Sequence, residues 1–184
     1  MVDTPGHGKL RDEAWEQIRT ARNLKGIIFV VDAANLVPAD GGSVNEGLRD
    51  AAEYLYDLLL HLQARCFNYK KNKFPREMPV LVAVNKSDLF TALPAPLVKS
   101  MLEAEITRIR ESRSKGLFDS GITTEDASRE LDPVVDELGD DGQGKFEFSQ
   151  MQATHVPVVI ARGSVMGSEG PNLEAWWAWI ASRL

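Results

Sequence analysis

Asn85-Lys86-Ser87-Asp88 follows directly on the apolar run Val80-Leu81-Val82-Ala83-Val84. A carboxylate at the end of such a run can accept two parallel hydrogen bonds from a ligand edge that shows two adjacent donors. Guanine has that edge, in its ring N–H and exocyclic amine. Adenine does not. Asp88 is thus placed to select guanine, Asn85 to brace the loop and contact the base, and the Lys86 stem to cover one base face. The plainer alternative is an Asn-capped turn. The position at the end of an apolar strand favours base recognition, because ligands of open α/β sheets bind beyond the carboxyl ends of the strands.

A second segment, Asp3-Thr4-Pro5-Gly6-His7, supplies complementary chemistry. Asp3 is expected to hold Mg²⁺ through a water, since a hard cation prefers carboxylate oxygen and keeps much of its hydration. The Gly6 N–H is expected to face a γ-phosphate, an approach that a missing Cβ permits, and loss of that phosphate would release the loop. His7 either orients an attacking water or is an exposed turn histidine. Ala161-Arg162-Gly163-Ser164, after another apolar run, is expected to form a loop closing over the base through a backbone N–H. The phosphate-cradling pattern Gly-x-x-x-x-Gly-Lys-Ser/Thr occurs nowhere in the sequence, and Gly6-His7-Gly8-Lys9 has the wrong spacing for it. His7, His61, His155 and Cys66 are scattered and suggest no metal cluster.

Three apolar runs must position these groups: Gly26 to Asp32, Pro79 to Asn85 and His155 to Ala161. Each is continuous rather than alternating, which predicts parallel strands covered on both faces. Between them, residues 45–65 place Leu48, Ala51, Ala52, Leu55, Leu58, Leu59 and Leu62 on one helical face. Residues 96–112 do the same with Val98, Leu102, Ile106 and Ile109. A last helix is expected from an N-cap at Asn172, with Leu173, Trp176 and Ile180 sharing the face on the sheet and Trp177 and Trp179, less easily buried together, as the better candidates for a partner interface. Alternating strands and helices imply right-handed crossovers and a doubly wound α/β sheet. Residues 114–145 are acidic and glycine-containing and read as a solvated insertion, with a short helix possible over 131–138.

The formal net charge of −6 argues against nucleic acid as a direct partner. Lys70-Lys71-Asn72-Lys73 is too short a basic run to change that. Cys66 is the sole cysteine, so no intrachain disulfide forms and a reducing compartment is expected. No apolar run approaches the length of a membrane span.

Taken together, the segments resemble the β-subunit family of the signal recognition particle receptor, Ras-superfamily GTPases of the endoplasmic reticulum. Val2-Asp3-Thr4-Pro5-Gly6-His7-Gly8-Lys9-Leu10-Arg11 is similar to the family's third sequence box and second switch. Phe29-Val30-Val31-Asp32-Ala33-Ala34, Glu53-Tyr54-Leu55-Tyr56 and Val84-Asn85-Lys86-Ser87-Asp88-Leu89 resemble its next strand, helix and fourth box. Lys145-Phe146-Glu147-Phe148-Ser149-Gln150, before the last strand, resembles a segment of this family that GTPases in general lack. The resemblance implies a three-layer P-loop NTPase fold, a Ras-like G domain, here as one partial domain over 1–184 without its N-terminal strands and phosphate loop. It implies GTP and Mg²⁺ as ligands, with Asp3 at the metal, Gly6 at the γ-phosphate, and Asn85, Lys86 and Asp88 at guanine. Gly6, His7, Gly8, Lys9, Leu10 and Arg11 would contact the receptor α subunit, and through it the particle and ribosome. An N-terminal membrane helix outside these residues would hold the domain on the cytosolic face of the endoplasmic reticulum.

Two functions follow. One is a nucleotide switch that holds its partner when GTP is bound. The other is a nucleotide-independent interaction module that docks a partner without GTP. In either case the first strand is expected to show an unpaired edge, and the chain alone to be poorly stable or to self-associate.

Overall fold

Three parallel strands lie side by side in chain order: β1 (Ile27–Asp32), β2 (Val80–Asn85) and β3 (Val158–Arg162). The computed structural model describes residues 1–4, 6, 8, 11–21, 23–36, 45–69, 77–119, 138, 144–168 and 170–184. The register pairs Asp32 with Asn85 and Val84 with Arg162, so the three strands end at one level. Among the described residues four α-helices accompany them: α1 (Arg11–Thr20), α2 (Glu46–Tyr69), α3 (Ala95–Asp119) and α4 (Glu174–Ala181). This is the expected α/β architecture with a parallel sheet.

One sheet face carries Phe29, Val31, Val80, Val82 and Val84 and is packed by α2 and α3 into a single core. The helical spacing explains the packing. Ala52, Leu55, Leu58, Leu59 and Leu62 of α2 and Val98, Leu102, Ile106 and Ile109 of α3 are all buried. Asn45 starts α2 by accepting the Leu48 N–H at 3.2 Å, an N-cap that satisfies one of the helix's free donors.

The opposite face is covered unevenly. Leu81 and Ala83 are buried there, and α4 touches β2 and β3. Over β1, Ile28 is 36% and Val30 58% exposed, and Val159 of β3 is 41% exposed. Coverage on both faces, expected for all three strands, therefore holds for β2 alone. The outer face of β1 is left open at Ile28 and Val30, and among the described residues β1 is the edge of the sheet.

Other boundaries moved. β3 begins at Val158 rather than His155, because His155 has a left-handed backbone (φ 64°) that a strand does not accommodate. α4 is preceded by Leu173, while Asn172 forms an antiparallel bridge with Ser164 instead of capping the helix. No α4 side chain is fully buried; Trp177 is 62% exposed, and Trp179 lies against Gly26, where an added Cβ would meet its ring at 2.7 Å.

α3 runs on to Asp119, so the first residues assigned to the 114–145 insertion are helical. Most of that insertion, including 131–138 except Leu138, lies outside the described residues, as does Lys70-Lys71-Asn72-Lys73. Leu138 is fully buried, and the buried Arg110 donates to its carbonyl at 3.2 Å and also to the Gly144 carbonyl. The Phe-Glu-Phe-Ser-Gln segment is held next to it. Thr107 Oγ1 accepts the Phe146 N–H at 2.9 Å, and Glu103 accepts the Phe148 N–H at 2.8 Å. Phe146 and Phe148 meet edge to face inside the core, with centroids 5.4 Å apart.

α1 has no counterpart in the apolar periodicity, since Ala14 is its one buried residue. Its charges suit a helix: Asp12 and Glu13 in the first turn and Arg19 in the last complement the dipole. It is fixed to α2 through side chains. Trp15 stacks on His61 at 4.4 Å and meets Tyr54 edge-on at 5.5 Å, the Arg11 guanidinium lies 4.3 Å over the Tyr54 ring, and Arg65 donates to the Ile18 and Ala21 carbonyls.

Candidate functional site

The carboxyl ends of the three strands bring two loops together. Ala33 N–H donates to the Asn85 carbonyl at 3.1 Å, and Leu93 N–H to the Ala33 carbonyl at 3.2 Å, so the segment after β1 is tied to both ends of the Asn85–Leu93 loop. On the other side, Gly163 N–H donates to the Val84 carbonyl at 2.8 Å and Ser87 N–H to the Gly163 carbonyl at 3.2 Å. The backbone of the Asn85-Lys86-Ser87-Asp88 loop is thereby held between β1 and β3.

Asn85 acts as the brace expected of it. Its Oδ1 accepts the Lys86 N–H at 2.8 Å and the Val165 N–H at 3.4 Å, linking the two loops. That leaves its amide NH₂ as the donor available to a ligand. Lys86 has φ of 62°, a left-handed conformation that a residue with a Cβ adopts at a cost on the order of 1 kcal/mol. Such strain clusters at ligand-binding turns. The turn closes through Leu89 N–H to the Lys86 carbonyl at 3.0 Å. Asp88 is exposed, so its carboxylate can accept from a ligand without first giving up a buried site.

The loop after β3 starts at Gly163 rather than at Ala161. Ala161 and Arg162 are the last two residues of β3, not loop residues, because the parallel ladder with β2 continues to the Val84–Arg162 pair. The Ala161 carbonyl accepts the Trp176 Nε1–H at 3.1 Å. Gly163 serves packing: a Cβ there would stand 2.6 Å from the Trp176 ring. Beyond Gly163, whose carbonyl accepts the Ser87 N–H, Val165 and Gly167 also reach the Asn85–Asp88 loop. A Cβ on Gly167 would come within 3.3 Å of the Asp88 Cβ. The second glycine of Gly163-Ser164-Val165-Met166-Gly167 was the available signal for that close approach.

Lys86 carries a partner that the sequence did not reveal. Its Nζ lies 2.6 Å from Asp32 Oδ2, at the end of the neighbouring strand. Asp32 Oδ1 accepts the Ala34 N–H at 3.1 Å, which fixes the carboxylate's orientation.

Asp3 and Gly6 are exposed, and the space around a Cβ at Gly6 is open to 4 Å. His7, Lys9 and Leu10 lie outside the described residues, Gly8 is exposed, and Arg11 opens α1 against Tyr54. Among the described residues no group of three or more His, Cys, Asp or Glu is gathered to hold a metal. An exposed single carboxylate such as Asp3 still suits Mg²⁺, which takes one or two protein carboxylates and completes its shell with waters and phosphate oxygens.

A family model described as signal recognition particle receptor beta subunit matches residues 1–156. The signal recognition particle receptor subunit beta of Saccharomyces cerevisiae is 33% identical over 188 residues, covering 100% of this chain and 66% of the relative. That of Mus musculus is 28% identical over 185 residues, covering 98% of this chain and 58% of the relative. The chain thus spans less than two thirds of the length of these relatives. Among solved structures, SRb-GDP-Mg from Chaetomium thermophilum superposes with a TM-score of 0.78 at 38% identity, over 100% of this chain and 80% of that one. SRb in the SRb-GTP/SRX complex of the same organism gives 0.76 at 38% identity, over 99% of this chain and 66% of that one.

Proposed function

Because the chain belongs to the signal recognition particle receptor beta-subunit family, we propose that it is the guanine-nucleotide-binding part of such a receptor subunit. In this reading it binds GTP and holds the receptor α subunit at the cytosolic face of the endoplasmic reticulum membrane for cotranslational targeting. The observation that carries the reading is the braced Asn85–Asp88 loop. Asn85 joins both loops at the strand ends, and Asp88 stands exposed beside Gly167.

The residues divide the work as follows. Asp88 accepts the two guanine donors, which gives selectivity through a bidentate charged pair. Asn85 holds the loop and offers its amide to the base. The Lys86 stem covers the base. The loop from Gly163 to Gly167 closes the other side. Asp3 would hold Mg²⁺ through a water, and the ion would supply positive charge opposite the phosphates. Gly6 is assigned to the γ-phosphate and His7 to the attacking water. The segment from Gly6 to Arg11 is assigned to the α subunit. SRX is the partner in the GTP complex of the Chaetomium relative, and a surface that senses the γ-phosphate is suited to a partner bound in the GTP state.

Two measurements on the purified protein test this together: its bound-nucleotide content and its GTP-dependent capture of the α subunit's N-terminal domain. Guanine nucleotide in the preparation, with capture that depends on GTP, supports the reading. Capture of equal strength without nucleotide would establish the nucleotide-independent module instead.

A further inference from the structure

We infer that Asp32 is a positioning residue for the base site, holding the Lys86 stem in the place where it covers guanine. The inference rests on the guanine-nucleotide reading above, and it concerns a residue outside the Asn85–Asp88 motif. The geometry has three parts. Lys86 Nζ and Asp32 Oδ2 are 2.6 Å apart, a short charge-assisted contact. Asp32 is itself fixed, since its other oxygen accepts the Ala34 N–H at 3.1 Å. Its strand is in register with β2, Asp32 opposite Asn85, so the carboxylate and the base-reading loop are carried by one rigid sheet.

A lysine side chain has four rotatable bonds and loses much rotamer freedom when it is pinned. If the stem is held before the ligand arrives, that loss does not fall on binding, and affinity rises by preorganisation. Asp32 does this without touching the nucleotide. The Lys86 backbone, at φ of 62°, is held in a left-handed turn conformation next to this contact. The Lys86 and Asp32 side chains are 51% and 36% exposed, so solvent and salt screen the pair and its effect is modest.

The test is a set of GDP titrations by calorimetry on the purified protein, with side-chain NMR of Lys86 in the nucleotide-free state. Asp32→Asn is expected to weaken GDP binding about three- to fivefold at low salt, the scale of one exposed ion pair, with less effect at high salt. Asp32→Glu is expected to restore most of the loss. On a Lys86→Met background, Asp32→Asn is expected to cause no further loss, since Asp32 acts only through that ammonium. The Lys86 side chain becomes mobile by NMR in Asp32→Asn, while the unfolding midpoint without nucleotide stays within a degree or so of wild type. Unchanged GDP affinity in Asp32→Asn, or an equal loss on the Lys86→Met background, would overturn the inference while leaving the guanine reading standing. A wild-type protein that binds no GDP, or binds ADP as well, overturns both.

Discussion

Gly163 lies directly under the indole of Trp176: a Cβ built on it would stand 2.6 Å from two ring carbons and 2.9 Å from the Asn172 carbonyl oxygen. The same indole donates to the Ala161 carbonyl at 3.1 Å. One aromatic ring therefore clamps the end of β3 and the start of the loop that reaches Asn85 and Asp88. Gly163→Ala forces the ring or the strand to move, an overpacking that costs about 1–3 kcal/mol. Its unfolding midpoint should fall by several degrees, and Gly163→Ala/Trp176→Leu, which makes room for the methyl, should recover part of the loss relative to Trp176→Leu alone. An unchanged midpoint in the single variant would show that the ring is not clamped.

Arg65 holds the C-terminal end of α1 by donating to the Ile18 and Ala21 carbonyls. Hydrogen bonds from a charged donor contribute about 1.5–3 kcal/mol each. Arg65→Met keeps the apolar stem and removes the donors. Amide hydrogen exchange across α1 should accelerate at least tenfold, with little change in α3. Equal protection in both helices of the variant would show that α1 is fixed by Trp15 and Tyr54 alone.

Burial raises the Tyr54 phenol above its ordinary value of about 10, and the Arg11 guanidinium over its ring partly opposes that shift. The sign follows from linkage: the folded state favours the neutral phenol. That contribution is complete below the unfolded pKa and is lost as pH rises through the higher folded value. Thermal stability should therefore drop above about pH 10, and Tyr54→Phe should flatten that part of the profile. Parallel profiles for wild type and Tyr54→Phe between pH 9 and 11 would contradict it.

How much of this was legible beforehand differs by element. The faces of α2 and α3 and the central strand were readable, because their leucines and valines obey one period and are buried by neighbours that obey another. The Asn85–Asp88 loop was readable because its letters follow a strand. α1 was not: its attachment comes from Trp15, His61 and Arg65, contacts made across the fold that leave no periodicity. The Asp32–Lys86 pair was not, because it depends on register between strands far apart in sequence. The loop after β3 starts at Gly163 rather than Ala161, since β3 keeps its ladder through Arg162.

The outer face of β1, with Val30 58% and Ile28 36% exposed on an edge strand, offers both apolar surface and unpaired backbone. A chain of residues 1–184 alone should self-associate through this edge. Val30→Lys places a charge on that face and should shift sedimentation toward the monomer at micromolar concentration without lowering helix content. An identical distribution of species in the two proteins would exclude β1 as the contact.

The central claim is that Asp88 reads the guanine edge, and exchanging the edge tests it most directly. Xanthine replaces guanine's exocyclic amine by a carbonyl, so a carboxylate that accepts two hydrogen bonds from guanine meets an acceptor, while an amide can donate to it. In parallel titrations of the purified protein with GDP and xanthosine diphosphate, wild type should prefer GDP by at least a hundredfold, about 2.7 kcal/mol. Asp88→Asn should reverse that preference. A variant that keeps the wild-type ratio of affinities, or a wild type indifferent to the two bases, would contradict the account.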